Sequence, residues 1–316
     1  MRILITGVGG FAGSHLADTL LAQGERDLCG VLVAPGRPDY LDGRVRLVVA
    51  NLREPAEVAH LLADFKPDRI YHLAGQAFVP QSWSDPWDTL ENNIRAQLNI
   101  LHGCVQLGLM QTRVLAVGSN EEYGRLDAAE LPARETSPLR PDSPYGVSKI
   151  AQDYLGQSYF ISHGLPVVRV RPFNHIGPRQ STRFVAADFA GQIVEIERGR
   201  RAPVVRVGNL QAERDFSDVR DIVRGYVAAL ELGQAGEVYN VASGVPRPIS
   251  VLLDGLLALA QRAITVEVDP AKLRPSDTPR QQGDSSKLRA ATGWEPRIPF
   301  EQTLKDILDY ERQHHS

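Results

Sequence analysis

The chain has 316 residues, with 35 Lys and Arg against 38 Asp and Glu and a net charge of −3. That length accommodates one large α/β domain with an appended lobe, and the near-neutral balance excludes nucleic acid and anionic membrane surfaces as electrostatically recruited partners. The two cysteines, Cys29 and Cys104, lie inside apolar stretches, as small core residues of a reducing compartment do.

"MRILITG" opens the chain as a buried strand rather than a signal-peptide n-region, and no apolar run reaches membrane-spanning length, so a cytoplasmic protein is expected. "RILIT" leads into a helix over 11–23, followed by "LCGVLV", "RVRLVVA", a helix over 54–65 and "RIYHLA". A helix over 86–108, the strand "RVLAVG", a helix over 144–163 and "PVVRVRP" continue the alternation. Continuous apolar strands joined by helices predict a parallel sheet covered on both faces. Right-handed crossovers make it doubly wound, with ligands at the carboxyl ends of the strands. Beyond 174, the short strands "PVVRVG", "EVYNVA" and "ITVEV" mix with helices over 183–198, 218–232, 249–262 and 300–313. The expected fold class is α/β, a doubly wound parallel sheet of the Rossmann type with a smaller α/β C-terminal lobe. Residues 1–174 form the dinucleotide-binding domain, with elements near 214–240 returning to it, and 175–316 form mainly the substrate lobe.

"TGVGGFAGSHL" places Gly7, Gly10 and Gly13 between the first strand and its helix. Glycines there permit a tight turn, close approach of a pyrophosphate and close helix–strand packing, while the helix N-terminus offers N–H donors. An acid about 20 positions on would select NAD through the ribose 2′-hydroxyl. Ala34 and Pro35 stand where it is expected and Arg37 follows; a guanidinium there suits a 2′-phosphate, so NADP(H) is favoured and NAD(H) is the alternative.

"SPYGVSK" carries an N-cap (Ser143), a proline at the first helical position and then Tyr145 and Lys149 four apart on one face. A free tyrosine has a pKa of about 10, and a neighbouring ammonium lowers it. Ser119, in "GSNEEYG" after the fifth strand, is placed to bond a substrate oxygen. Glu121 is the carboxylate available for acid–base work, whereas Glu122 reads as a solvated turn residue. His72 and His175 lack ligand spacing, read as structural, and no metal is expected.

Gly7, Gly10, Gly13, Ser119, Tyr145 and Lys149 together resemble the extended short-chain dehydrogenase/reductases that act on nucleotide sugars, over essentially the whole chain. The resemblance implies that Tyr145 exchanges a proton with a sugar hydroxyl or ketone and that Lys149 binds the nicotinamide ribose and tunes the tyrosine. It adds Phe11, Asn51, Leu52, Leu73 and Ala74 to the cofactor site, with Asn51 standing where an Asp usually meets the adenine. "RPFNHIGPRQ" and "GNLQAERDFSDVRD" look like the GDP-mannose branch, which holds 4,6-dehydratases and 4-keto-6-deoxy-mannose reductases. On that likeness Asn174, Arg179, Asn209, Arg214, Arg274 and Asp277 contact the GDP-sugar, the arginines suiting a diphosphate and the carboxylate a ribose diol.

Within the branch, "EEYG" and "RDFSDVRDIV" resemble the reductase, and the paired arginines that dehydratases tend to carry after the second strand are absent. The expected enzyme is an oxidoreductase that reduces the C4 ketone of GDP-4-keto-6-deoxy-D-mannose to GDP-D-rhamnose. The alternative is a GDP-mannose 4,6-dehydratase, with another nucleotide-sugar epimerase or dehydratase behind it. Glu121 is a base if the enzyme eliminates water and a substrate clamp if it only reduces. The long helices over 86–108 and 145–163 resemble those of a four-helix dimer interface, so a homodimer is expected.

Overall fold

A computed structural model of the protein describes residues 1–272 and 278–314. In chain order the first half runs β1 (Arg2–Thr6), α1 (Phe11–Ala22), β2 (Asp27–Leu32), β3 (Arg46–Val49), α2 (Pro55–Phe65), β4 (Arg69–His72), α3 (Val79–Ser84), α4 (Pro86–Gln106), β5 (Arg113–Val117), α5 (Pro144–His163) and β6 (Val167–Pro172). The second half runs β7 (His175–Ile176), α6 (Val185–Glu197), β8 (Val204–Val207), β9 (Glu213–Asp215), β10 (Ser217–Asp218), α7 (Val219–Leu232), β11 (Val238–Val241), β12 (Pro246–Pro248), α8 (Ile249–Leu257), β13 (Thr265–Val268), α9 (Ser286–Thr292) and α10 (Phe300–His314).

Seven strands form one sheet in the order β11-β6-β5-β4-β1-β2-β3, every pair parallel. The order reverses around β1, so the crevice for a dinucleotide opens above its carboxyl end. Alternation along β1 sends Ile3 and Ile5 into a core shared with α1 and α7, and Leu4 into one shared with α2 and α4. Strand β3 departs from the expectation of burial on both faces: it is the sheet edge, and Val49 is 48% exposed.

The C-terminal half contributes to both units. Helix α7 packs on α1, and β11 extends the sheet beside β6 with Asn240 opposite Arg171. The return reaches further along the chain than 240, because α9 and Trp294 enter the same core. A second core lies between α6, α8 and α10, where Phe216 stacks on Phe300 at 6.2 Å. Helix α8 ends at Leu257, short of the expected 262.

Three aspartates of "RDFSDVRD" fasten these parts. Asp215 accepts from Ser243 N, Gly244 N and Gly283 N at 2.9, 3.0 and 3.0 Å. Asp218 caps α7 and accepts from Thr303 Oγ1 at 2.8 Å. Asp221 accepts from the backbone N–H groups of Arg297 and Ile298 at 2.8 and 2.9 Å, while its carbonyl takes the Trp294 indole N–H at 3.0 Å. Trp294→Ala removes both the indole's packing and that bond, and is expected to lower stability by about 3–5 kcal/mol, read from urea unfolding. A loss under about 1 kcal/mol would show that the α9 segment is not part of the Rossmann core.

Candidate active site

Gly7 adopts φ +69° and turns the chain from β1 into α1. A Cβ on Gly7 would stand 2.9 Å from Ala74 N, and one on Gly13 would overlap the Gly7 carbonyl and lie 2.8 Å from its carbon. Gly10 is the N-cap of α1 and has no side chain to satisfy the first-turn N–H groups. An uncapped helix N-terminus under a glycine turn is a cradle for an anion such as a pyrophosphate. Leu73 N and Ala74 N are held by Thr6 O and Thr6 Oγ1 at 3.3 and 3.1 Å, fixing the strand end opposite the loop. Phe11 stacks on His175 with centroids 5.7 Å apart. Asn51 Oδ1 accepts from Arg53 N at 3.1 Å, and Leu52 beside it is buried.

In the protein alone Arg37 donates to Asp42 O and Val45 O at 2.6 and 2.8 Å and so shapes the loop after β2. Tyr40, which the sequence does not single out, bonds Gly9 O at 2.6 Å and brings that loop over the glycine turn. His72 pairs with Thr6 Oγ1 at 2.9 Å, and burial lowers its pKa to about 3, so it is a neutral structural residue. His175 is fixed to Phe173 O at 3.0 Å.

The Ser143 hydroxyl accepts from Gly146 N at 3.1 Å, starting α5 where its sequence predicts. Tyr145 and Lys149 then face the end of β5, with Lys149 Nζ 5.8 Å from the Tyr145 ring centroid and donating to Val117 O at 3.0 Å. Ser119 caps a single 3₁₀ turn over Asn120–Glu122, and its hydroxyl accepts from Glu121 N at 3.2 Å. Burial pushes the Tyr145 phenol well above its ordinary range, a hydrogen bond with Ser119 acts the other way, and Glu121 and Glu122 add to the rise. Desolvation thus dominates the phenol in the protein alone, with the Lys149 ammonium 5.8 Å from its ring centroid. The same burial lowers Lys149 to about 8. Glu121 Oε1 accepts from Gln281 Nε2 at 3.1 Å, a contact with a distant segment that sequence spacing cannot reveal.

Glu122 is not the solvated turn residue its position suggests, because it is fully buried. Its Oε1 accepts from Ser119 N at 2.8 Å, completing a capping box whose Ser-x-x-Glu spacing is visible in "SNEE".

Of the residues expected at substrate, Asn174 closes β6 with its Oδ1 buried and unpartnered among the described residues, a polar atom suited to a ligand donor. Asn209 Oδ1 accepts from Gln211 N at 2.9 Å, and Arg214 on β9 donates to Glu213 O and Thr278 O at 2.9 and 2.8 Å. Arg179 points elsewhere: it pairs with Asp18 on α1 at 2.7 Å and lies over the Tyr40 ring. Arg274 and Asp277 lie outside the described residues. The structure thus gathers Ser119, Glu121, Tyr145 and Lys149 at one strand end, and leaves Arg179 with α1.

Gly13→Ala forces a methyl group into backbone that cannot yield. It is expected to destabilise the fold by about 1–3 kcal/mol and to weaken nicotinamide dinucleotide binding about tenfold or more, measured by fluorescence titration; unchanged affinity would remove the loop from the cofactor site.

Residues 4–307 match the protein-family model described as GDP-mannose 4,6 dehydratase. The chain is 37% identical over 307 residues to the GDP-6-deoxy-D-mannose reductase of Pseudomonas aeruginosa, covering 97% of this chain and 96% of that protein. Its fold superposes on the structure of RMD from Pseudomonas aeruginosa complexed with NADPH with a TM-score of 0.84, 33% identity and 99% coverage of both chains. A UDP-glucose 4-epimerase from Thermus thermophilus in complex with NAD gives a TM-score of 0.88 at 30% identity, covering 99% of this chain and 100% of that one. On these likenesses the chain belongs to the GDP-mannose 4,6-dehydratase family, with an extended short-chain dehydrogenase/reductase fold.

Proposed function

We propose that this protein reduces the C4 ketone of GDP-4-keto-6-deoxy-D-mannose to GDP-D-rhamnose, with NADP(H) as the favoured cofactor and NAD(H) as the alternative. The observation that carries the reading is the gathering of Ser119, Tyr145 and Lys149 at the end of β5, opposite the glycine turn. A ketone reduced at such a site takes hydride at C4 and a proton at its oxygen, and Tyr145 is the group placed to give that proton. The likeness to the Pseudomonas aeruginosa reductase over nearly the full length supports the same direction.

The bound nicotinamide would supply the hydride. Gly7, Gly10 and Gly13 cradle its pyrophosphate on the α1 N-terminus, and Phe11, Asn51, Leu52, Leu73 and Ala74 line the rest of the cofactor crevice. Lys149, one of whose three protons is fixed on Val117 O, retains two for the ribose. Ser119 bonds the ketone oxygen, and Tyr145 donates the proton that the forming alkoxide takes. The lobe built mainly from residues 175–316 holds the GDP-sugar, with Asn174 and Arg214 facing its diphosphate and Glu121 lining the sugar. Buried thiols at Cys29 and Cys104 suit a cytoplasmic setting.

Nicotinamide absorbance tests the reading. NADPH consumption with the keto-sugar and none with GDP-mannose is expected, and Tyr145→Phe is expected to lower kcat about 10²–10⁴-fold. Conversion of GDP-mannose without net cofactor consumption would make the enzyme a dehydratase, with Glu121 as its base.

The working form is a homodimer. On α5, Val147, Tyr154 and Ile161 recur every seventh residue and are 47%, 55% and 71% exposed, a single apolar stripe beside α4. Sedimentation is expected to give twice the chain mass of 34.8 kDa; one chain's mass at assay concentration would contradict it.

A further inference from the structure

Glu122 is the one ionisable side chain of the catalytic turn that no ligand can reach, since none of it is exposed. Its two oxygens face different parts of the molecule. Oε1 accepts from Ser119 N at 2.8 Å. Oε2 forms an ion pair at 2.9 Å with Arg171 Nε on β6, whose N–H donates to Asp153 Oδ2 on α5 at 2.8 Å. Asp153 is held from its other oxygen by Arg169. Arg171 is itself fixed by Tyr123 Oη at 3.1 Å, and Tyr123 donates to Asn240 Oδ1 on β11 at 2.7 Å. The carboxyl thus sits against an ion-paired cluster carried by β6 and α5 on one side, and holds the catalytic turn on the other.

Gly118 belongs to the same arrangement. A Cβ there would overlap Glu122 Oε1 and stand 3.1 Å from Val170 O, so the residue before Ser119 must be glycine for the carboxyl to reach the Ser119 N–H. Burying two carboxylates against two guanidiniums is a costly way to stabilise a fold, but it sets a rigid anchor, and a rigid anchor is what a catalytic hydroxyl requires. Burial and the neighbouring Asp153 raise the Glu122 carboxyl, which suits a group used as a hydrogen-bond acceptor through one oxygen and not as a free charge.

We propose that Glu122 is a positioning residue that sets the Ser119 hydroxyl at the ketone by gripping the Ser119 backbone N–H, with Arg171 and Asp153 as its anchor. The proposal rests on the reductase reading above and concerns kcat, because Glu122 touches neither cofactor nor sugar. Its test is a set of variants in the NADPH assay with the keto-sugar. Glu122→Leu removes the acceptor, and Gly118→Ala displaces the carboxyl while leaving it in the chain. Each is expected to lower kcat about 10²-fold, as a misplaced catalytic group does, with the NADPH dissociation constant unchanged. Glu122→Gln keeps an acceptor for Ser119 N–H and can donate to Asp153, so it is expected to restore kcat to within about twofold of the parent.

The decisive readout is the Ser119→Ala background. If Glu122 acts through the serine, Glu122→Leu and Gly118→Ala cost nothing further there. Equal losses with and without the serine hydroxyl would overturn the proposal, as would full turnover of Glu122→Leu. Should Glu122→Leu fail to fold, Gly118→Ala and Glu122→Gln carry the test, and a Glu122→Gln enzyme as poor as Gly118→Ala would also overturn it. Absence of NADPH consumption by the parent enzyme would instead reject the reductase reading itself.

Discussion

Only a hydrogen atom fits between α1 at position 13 and the carbonyl of Gly7. That contact sets how closely the first helix lies on the first strand, and much of the molecule is arranged around it. With α1 drawn in, α7 packs along it and Leu16, Leu20, Ile222 and Tyr226 close one core over β1. With the turn left-handed at Gly7, the free N–H groups of α1 open onto the crevice where the strand order reverses. A packing requirement and a binding requirement therefore fall on the same three glycines.

Three carboxylates tie distant segments of the chain together. Asp215, Asp218 and Asp221 lie within seven residues of one another, and each collects donors from a segment far along the chain: the turn after β11 and Gly283, Thr303 on α10, and the backbone of Arg297 and Ile298. A buried carboxylate that gathers backbone N–H groups is stabilised by them and dictates where they sit. The stretch "RDFSDVRD", whose likeness marks the GDP-mannose branch, thereby positions the lobe that faces the site, and its Phe216 lies in the lobe core against Phe300.

Much of the fold was legible in the sequence because its signals are local. Strand-length apolar runs, a glycine turn and a Ser-Pro cap each depend on neighbours a few residues away, and β1, α1 and α5 follow them. The misread residues are those whose partners are distant. A guanidinium goes to whichever acceptor folding brings near, and in the protein alone Arg179 joins Asp18, 161 residues away. Glu122 shows both sides: its capping-box spacing is written in "SNEE", yet its burial follows from Arg171 and Asp153, which spacing does not connect to it. Tyr145 is identified by its motif, whereas the state of its proton depends on how deeply the finished fold covers it.

Strand β11 has one more consequence. It pairs with β6 along Val238–Val241, and Trp294 seals the core behind it. A chain that ends at β6 carries the glycine turn and the Ser119, Tyr145 and Lys149 cluster but leaves β6 as an unpaired strand edge, the kind of edge that recruits other chains. The chain must extend through Val241 before that edge is covered, so a fragment cut after β6 would expose it. The same late elements that fill the core behind the sheet therefore also close its edge.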